Sequence, residues 1–490
     1  GLSAIPRPAR DGGLLAAFDA GLSFELTQGQ VDVADTIATD MAESHPMHRL
    51  LQGEVGSGKT VVALRAMLTV VDTGGQAALL APTEVLAQQH ARSIREMLGP
   101  LAEAGMLGGD VSGTQVALLT GALSQVSRRS TLLDIATGNA GIVVGTHALL
   151  QEKVDFFDLG LVVVDEQHRF GVEQRDALRA KGRQPPHVLV MTATPIPRTV
   201  AMTVFGDLEV STLSELPAGR LSITTHVVPA AEQPRFMART WERVREEVDA
   251  THQVYVVCPR IGEELPGMSD EETPFADVDA DVAVDDSTLA SVLELGPRLA
   301  AGPLQGLRVE LLHGRLPSAV KDDIMRRFGD GQIDVLVSTT VIEVGVDVPD
   351  ATLMVVMEAD RFGVSQLHQL RGRVGRGAHR GLCLLVTNAP AASPARERLD
   401  AVASTLDGFT LSRLDLEQRR EGDVLGASQS GFRSGLRVLR VLRDEDIIAR
   451  ARDDATALIE FDPELDSMPA LRRAVWGMLT DERAEFMEKA

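Results

Sequence analysis

Residues 53 to 60 have the types and spacing that bind the phosphates of a nucleotide. They read Gly-Glu-Val-Gly-Ser-Gly-Lys-Thr and match the G-x-x-x-x-G-K-[ST] pattern of a phosphate-binding P-loop. Glycines let the backbone curl so that successive N–H groups face phosphate oxygens, and the following helix N-terminus adds partial positive charge. We expect Lys59 to reach the β- and γ-phosphates and Thr60 to offer its hydroxyl to Mg²⁺. The other predicted nucleotide-binding residues of this loop are Gly53, Gly56, Ser57 and Gly58.

Two neighbouring carboxylates, Asp165 and Glu166, follow a second apolar run that begins at Leu161. The carboxyl ends of parallel strands face the ligand crevice of an α/β sheet. We therefore expect Asp165 to hold the magnesium ion, and Glu166 to polarise the water that attacks the γ-phosphate.

Two hydroxyls follow a further apolar run, at Thr192 and Thr194. We expect them to link the γ-phosphate state to the other domain of the protein through hydrogen bonds to Gln167 or His168. The alternative is a strand-terminal turn before Pro195 with no further role.

Two arginines, Arg373 and Arg376, are spaced by three, which predicts one face of a helix. Guanidinium groups presented to a γ-phosphate act as arginine fingers, because they neutralise transition-state charge. A solvated basic helix is the alternative. The glycines at 372 and 375 disfavour that alternative, since glycine weakens a helix unless close approach matters.

Upstream of the P-loop, Phe24 and Gln30 form a candidate adenine site. A side-chain amide can donate to and accept from the adenine edge at once. Gln30 could equally cap a helix.

These residues must be positioned by strands, and near-continuous apolar runs predict parallel strands buried on both faces. The run before the P-loop, 48–52, is one strand, and the run after it suits a helix. The other candidate strands fall in two series: 77–82, 116–120, 141–146, 159–165 and 187–192, then 253–258, 308–312, 333–338, 352–357 and 381–386. The intervening segments are long enough for helical crossovers. The fold class is therefore α/β, with two doubly wound parallel sheets in tandem.

The predicted organisation has four parts. Residues 1–23 are a connector, 24–216 the first α/β domain, 217–386 the second, and 387–490 a smaller, mainly helical unit. The second domain contains an acidic insertion at about 262–287, which we expect to be a solvated surface loop.

Composition limits the function classes. The 490 residues are 44% hydrophobic and 24% charged, a globular profile, and no apolar run is long enough to cross a membrane. The formal net charge of −22 argues weakly against a nucleic-acid partner, because a motor needs only a local groove for phosphates. Two distant cysteines, Cys258 and Cys383, exclude a zinc ribbon and fit a reducing cytoplasm.

Together these motifs resemble those of superfamily 2 helicases. The P-loop resembles motif I, 81–84 motif Ia, 144–147 motif Ib, 165–168 motif II and 192–194 motif III. The resemblance implies two RecA-like domains with ATP and Mg²⁺ between them. Motif V then covers 338–347, which adds Gly345 and Asp347 to the expected nucleotide contacts, and Gln369 in motif VI becomes a coupling residue.

The runs 165–172 and 192–199 narrow the resemblance to the RecG family of bacterial branched-DNA helicases. Gln167 separates this family from its close relative, the Mfd-type transcription-repair coupling motors. Residues 417–431 resemble the translocation motif of both families, with Arg419 and Gln429 at its polar positions. The sequence departs from that motif at Arg420 and Glu421, where Gly-Pro is usual. The family's N-terminal wedge domain is not expected within this chain.

The resemblance implies an ATP-dependent double-stranded DNA translocase or helicase that remodels stalled replication forks and Holliday junctions in recombination and repair. Its expected partners are double-stranded and branched DNA, with a single-stranded-DNA-binding protein as a further candidate. A monomer in the bacterial cytoplasm, associated with the nucleoid, is expected. Two alternatives are an Mfd-type motor and a nucleotide-gated DNA-binding protein without sustained turnover.

Overall fold

The computed structural model describes most of the chain between residues 3 and 477. The described residues are 3–103, 110, 113–121, 123–151, 154–165, 184–193, 208–215, 223–259, 291–339, 348–377, 379–418, 445–462 and 465–477. The acidic insertion and much of the predicted C-terminal unit lie outside these ranges.

Thirteen strands and twelve α-helices are described in these ranges. The strands are β1 (His48–Gly53), β2 (Gln76–Leu80), β3 (Gln115–Leu119), β4 (Ala140–Gly145), β5 (Leu159–Asp165), β6 (His187–Thr192), β7 (Glu209–Leu213), β8 (Thr224–Pro229), β9 (Gln253–Val257), β10 (Val309–Leu312), β11 (Val335–Ser338), β12 (Ala351–Val356) and β13 (Leu382–Thr387). The helices are α1 (Leu14–Gly21), α2 (Gln28–Met41), α3 (Lys59–Asp72), α4 (Glu84–Leu98), α5 (Gln125–Thr137), α6 (Pro234–Asp249), α7 (Val292–Ala301), α8 (Ser318–Gly329), α9 (Val364–Arg371), α10 (Pro394–Ser404), α11 (Gly408–Gln418) and α12 (Glu445–Phe461).

The strands form two sheets, and every pairing between them is parallel. The first sheet has the order β3-β4-β2-β5-β6-β1-β7, and the second has the order β10-β11-β9-β12-β13-β8. Alternate residues of one strand enter different apolar clusters: Tyr255 packs on one face of the second sheet, and Val254 packs on the other. The two doubly wound α/β domains predicted from the apolar runs are therefore confirmed.

The edge strands β7 and β8 were not predicted. They read Glu-Val-Ser-Thr-Leu and Thr-Thr-His-Val-Val-Pro, and each mixes exposed with buried residues. An edge strand has a sheet neighbour on one side only and so can carry polar residues, whereas β3 and β10, at the opposite edges of the two sheets, have the apolar runs that predicted them.

The predicted connector contributes to the core of the first domain. Leu14 and Phe18 of α1 lie in the same apolar cluster as α3. Arg7 is 2% exposed and donates two hydrogen bonds of 2.8 Å to the carboxylate of Asp158. The N-terminal segment is thus fixed to the domain by both apolar packing and a buried ion pair.

Residues 388–418 stay with the second sheet, beyond the predicted domain boundary at 386. Leu399 and Val402 of α10 and Leu411 of α11 join the apolar cluster that contains β12 and β13. The chain divides into two compact units, one of residues 1–196 with 207–418 and one of residues 197–206 with 419–490. Within the described part of the second unit, α12 ends beside Asp462, whose carboxylate accepts the N–H of Ser467 at 2.8 Å.

No helix in the described ranges has the length and apolar character needed to span a bilayer.

Both cysteines are buried as free thiols, and burial raises the pKa of each to about 12.

The buried imidazole of His187 predicts an acid-sensitive first domain. Its Nδ1 accepts the N–H of Met47 at 3.0 Å, and burial lowers its pKa from 6.5 to about 4. Between these values the unfolded chain binds a proton that the folded chain does not. Stability is therefore complete above pH 6.5 and is lost as the pH falls towards 4.

We expect a change from pH 7 to pH 5 to lower the free energy of unfolding by about 2 kcal/mol through His187. Urea unfolding of the first domain at both pH values measures this loss, which should largely disappear in His187→Gln. His226→Gln, on the exposed part of β8, is the matched control. An equal loss in His187→Gln and the unmodified chain would contradict the assignment.

Candidate nucleotide-binding site

The P-loop connects the end of β1 to the start of α3, which is the context its sequence requires. Gly56 and Gly58 have φ values of +84° and +83°, in the left-handed region that favours glycine. Gly58 is also the N-cap of α3. The loop therefore ends where the helix presents its unpaired N–H groups and positive dipole end.

The ammonium group of Lys59 lies over the loop. Its Nζ donates to the carbonyl oxygens of Gly53 at 2.7 Å and Glu54 at 3.0 Å. A cation held by carbonyl oxygens marks a position where phosphate oxygens would be favourable partners. To contact phosphate, Lys59 would exchange these carbonyls for the ligand.

Gln30 supports the loop from α2. Thr27 and Gln30 form a capping box: Gln30 Oε1 accepts the N–H of Thr27 at 3.0 Å, and Thr27 Oγ1 accepts the N–H of Gln30 at 3.3 Å. The Gln30 amide also donates to the carbonyl of Ser57 at 2.9 Å. The helix-capping alternative is thus observed, and adenine recognition by Gln30 stays a prediction.

Ser57 is fully buried, and its hydroxyl has no hydrogen-bond partner among the described residues. Phe24, the predicted aromatic neighbour of the adenine, is 49% exposed. A buried hydroxyl in the P-loop and an exposed ring upstream of it are both features that a nucleotide could use.

The carboxyl ends of β1, β6 and β5 bring the other predicted residues to one edge of the sheet. Gln52 is in register with Thr192, and Met191 is in register with Asp165. The P-loop, the first predicted hydroxyl and the first predicted carboxylate therefore end three adjacent strands. Glu166 follows Asp165 directly in sequence.

Asp165 has a partner that the sequence analysis missed. Nε2 of His90, on α4, lies 2.6 Å from Asp165 Oδ2. The imidazole N–H donates to the carboxylate and fixes its orientation. The signal was present in the sequence, because His90 is four residues from both Leu86 and Ile94 and so belongs to the buried stripe of α4.

The predicted helix face carrying Arg373 and Arg376 is wrong. Helix α9 ends at Arg371, with Gly372 as its C-cap, so both arginines follow the helix in a turn. Gly375 has a φ of +67°, which a continuing helix could not accommodate. Arg373 is 7% exposed, and Arg376 Nε donates to the Gly372 carbonyl at 2.9 Å.

The arginine turn nevertheless lies against the P-loop. A side-chain carbon placed on Gly372 would be 3.7 Å from Cγ2 of Val55, in the middle of the loop. A second contact joins the same regions, since Glu54 Oε1 accepts the N–H of Gly408 at 2.9 Å. The second α/β domain therefore meets the nucleotide loop of the first.

Arg371 is a further buried cation that the sequence analysis did not select. It is 2% exposed, and its Nη1 donates to the carbonyls of Val402 and Thr405, each at 2.7 Å. It holds the connection between α10 and α11 against the end of α9.

The remaining predicted site residues lie outside the described residues: Glu166, Gln167, His168, Thr194, Gly345, Asp347, Arg419 and Gln429. Gln369 lies within α9.

Three family profiles match the chain in succession. The DEAD/DEAH box helicase family matches residues 27–203, and the helicase conserved C-terminal domain matches residues 290–378. The C-terminal part of domain 3 of ATP-dependent DNA helicase RecG matches residues 405–488.

The curated relatives decide between the families that share these motifs. The ATP-dependent DNA helicase RecG of Mycobacterium bovis is 53% identical over 98% of this chain and 63% of its own length. The chain belongs to the RecG family. The RecG of Mycobacterium leprae is 52% identical over 99% of this chain and 64% of the relative, and that of Synechocystis is 45% identical over 94% and 51%.

Solved structures agree with the RecG assignment. A structure of RecG bound to a three-way DNA junction is 37% identical, has a TM-score of 0.70, and matches 91% of this chain and 53% of that chain. Dbp5 of S. cerevisiae bound to RNA and ADP BeF3 is 15% identical with a TM-score of 0.53, over 85% of this chain and 97% of that one, and so shares the fold alone. The RecG-family chain spans less than two thirds of the length of the curated relatives described above.

The left-handed backbone at Gly58 makes nucleotide binding sensitive to a side chain at this position. Gly58→Ala in this RecG-family chain should weaken binding of a fluorescent ATP analogue about tenfold or more. Alanine in a left-handed conformation costs about 1–2 kcal/mol. Its Cβ would also lie 2.2 Å from Gln30 Nε2. The Gln30 amide already makes hydrogen bonds through both its oxygen and its nitrogen, so it cannot move away without losing them.

Gly21→Ala is the matched control, because a Cβ at Gly21 meets no atom within 4 Å. Titration of both variants measures the dissociation constant. Equal affinities for Gly58→Ala and Gly21→Ala would show that the loop tolerates a side chain where the structure leaves no room for one.

Proposed function

We propose that this chain is the motor of an ATP-dependent double-stranded DNA translocase that remodels branched DNA, including stalled replication forks and Holliday junctions, in recombination and repair. The observation that carries the proposal is the contact between the two α/β domains at the P-loop. Glu54 and Val55 of the loop meet Gly408 and Gly372 of the second domain. A nucleotide held there would touch both halves of the motor.

The residues present fit a nucleoside triphosphate with Mg²⁺. The P-loop glycines hold an open, left-handed backbone, Lys59 is positioned over the loop, and Ser57 keeps a buried hydroxyl. Thr60 and Asp165 would hold the metal ion. Magnesium–ATP, when bound, supplies the phosphoanhydride bond whose hydrolysis releases free energy.

The chain's own residues have distinct proposed roles at this bond. Lys59 neutralises phosphate charge, and Glu166 takes the proton of the attacking water. Arg373 and Arg376 stabilise the charge that develops in the transition state. Gly345 and Asp347 are proposed as further nucleotide contacts.

Thr192, Thr194, Gln167, His168 and Gln369 are proposed to couple the nucleotide site to the second domain. Thr192 supports this role because it ends β6, beside the strand that carries the P-loop.

Arg419 and Gln429 are proposed to act on duplex DNA. Both fall in the region that matches RecG domain 3, and α11 runs in sequence directly into Arg419. Since the net charge is −22, a few local phosphate contacts should provide the grip. A cytoplasmic, nucleoid-associated monomer and an interaction with a single-stranded-DNA-binding protein are finer parts of the same proposal.

The steady-state ATPase rate tests the DNA partner. We expect linear duplex to raise the rate about fivefold or more, in the usual range of allosteric coupling, with little extra effect from a model fork. Single-stranded DNA should raise the rate less. An ATPase rate that no DNA changes would remove the duplex-translocase proposal. No measurable rate with or without DNA would favour the nucleotide-gated binding protein without sustained turnover.

Glu166, the proposed general base, should affect ATP hydrolysis and not ATP binding. Glu166→Gln should lower the ATPase rate about 100-fold or more and leave the dissociation constant for ATP nearly unchanged, because the amide cannot take a proton from water. Glu232→Gln, at an exposed position of the second domain, is the control. An unchanged rate in Glu166→Gln would remove this residue from the mechanism.

A further inference from the structure

One P-loop side chain leaves the nucleotide site and contacts the second domain. Glu54 occupies the second position of the loop, a position that the phosphate-binding pattern leaves open. Its Oε1 accepts the backbone N–H of Gly408 at 2.9 Å. Gly408 is the first residue of α11.

The Glu54–Gly408 hydrogen bond satisfies one backbone N–H group at the start of α11. The first N–H groups of an α-helix have no partner within the helix, and a carboxylate is favoured there by the helix dipole. Asp407 supplies one such partner, since its Oδ1 accepts the N–H of Phe409 at 3.0 Å. Glu54 supplies another from 354 residues away in sequence, so the helix start depends on the other domain.

Helix α9 of the second domain holds the same helix in place. Leu411 of α11 packs in one apolar cluster with Leu367 and Leu370 of α9. Arg371 holds the carbonyls of Val402 and Thr405, immediately before the helix. The N-terminus of α11 is thus positioned from two sides, by the P-loop and by α9, the helix that precedes the arginine pair.

Glu54 also contacts Lys59, the side chain that we expect to bind phosphate. Lys59 Nζ donates to the Glu54 backbone carbonyl at 3.0 Å. When Lys59 turns to a phosphate, that carbonyl loses its cationic partner and keeps the N–H of Ser57, at 3.1 Å, so the backbone at Glu54 is held by one hydrogen bond fewer. A shift of that backbone would move the carboxylate that accepts the N–H of Gly408.

We propose that Glu54 is a positioning residue that reports the nucleotide state to α11, and through α11 to the DNA-contacting segment that begins at Arg419. The inference deepens the proposed translocase function and rests on it for the DNA step. The nucleotide-dependent change at α11 itself needs only nucleotide binding.

Hydrogen exchange measures the proposed change directly. In the unmodified chain, a non-hydrolysable ATP analogue should change the exchange rate of the amides at 408–411 about fivefold or more, which is the lower end of usual coupling. Glu54→Ala should abolish this difference, because it removes the acceptor. Glu54→Gln should keep it, because an amide oxygen accepts the same bond.

Glu43→Ala, an exposed glutamate of the first domain, is the matched control and should behave like the unmodified chain. The proposal is overturned if the analogue leaves these amides unchanged in the unmodified chain, or if Glu54→Ala shows the full difference. A general loss of stability would alter exchange throughout the chain with and without nucleotide, so it would not imitate the expected result.

A second variant tests the bond from the other side and leaves the P-loop intact. Gly408→Pro removes the N–H donor at the first helical position, where proline is well accepted. It should abolish the nucleotide effect as Glu54→Ala does, and the double variant should show no additional effect, since both changes remove one interaction. Independent, additive effects would show that Glu54 does not act through Gly408.

The DNA step is measured as third-strand displacement from linear duplex per ATP hydrolysed. Glu54→Ala should lower this ratio about fivefold or more, whereas Glu54→Gln should stay within about twofold of the unmodified chain. A proportional loss of displacement and hydrolysis would contradict a coupling role. No displacement by the unmodified chain would instead contradict the proposed function, while the exchange result would still decide the role of Glu54.

Discussion

The backbone conformation at Gly58 is the constraint on which the rest of the site depends. Its φ of +83° starts α3 at the point where the loop closes, and the space that a side chain would occupy is filled by the Gln30 amide. That amide is fixed by the N-terminus of α2 and by the carbonyl of Ser57. One residue without a side chain therefore joins two helix starts and the phosphate loop into a rigid unit, which is the preorganisation that an electrostatic site requires.

The parallel sheets turn this local unit into a composite site. Because β1, β6 and β5 are neighbours and run in one direction, Gly53, Thr192 and Asp165 share an edge although up to 139 residues separate them in sequence. The second domain adds two further cationic side chains, Arg373 and Arg376, which follow α9. The turn that carries them lies beside the P-loop, since a methyl group at Gly372 would be in van der Waals contact with Val55.

Much of this arrangement could be predicted from the sequence, and the failures have physical causes. Continuous apolar runs revealed β2 and β5, and even the edge strand β3, whereas β7 and β8 have mixed composition and were missed. The spacing of Arg373 and Arg376 fits a helix, but helix α9 stops at Arg371 and sequence spacing cannot show where a helix ends against its neighbours. For Gln30 the sequence left adenine recognition and helix capping open, because both use the same two atoms of the amide. The Glu54–Gly408 bond joins two segments with no shared pattern, so only the fold reveals it.

The positions of β7 and β8 also have a mechanical consequence. Strand β7 ends the first sheet and β8 ends the second, and they are consecutive described strands along the chain. Strand β7 pairs with β1 alone, and Leu213 lies opposite Gly53, the first residue of the phosphate loop. The pairing of β7 with β1 is therefore the connection through which a tensile load along the backbone between the domains would reach the first sheet. A load between the domains would therefore act first on β1, the strand that leads into the phosphate loop.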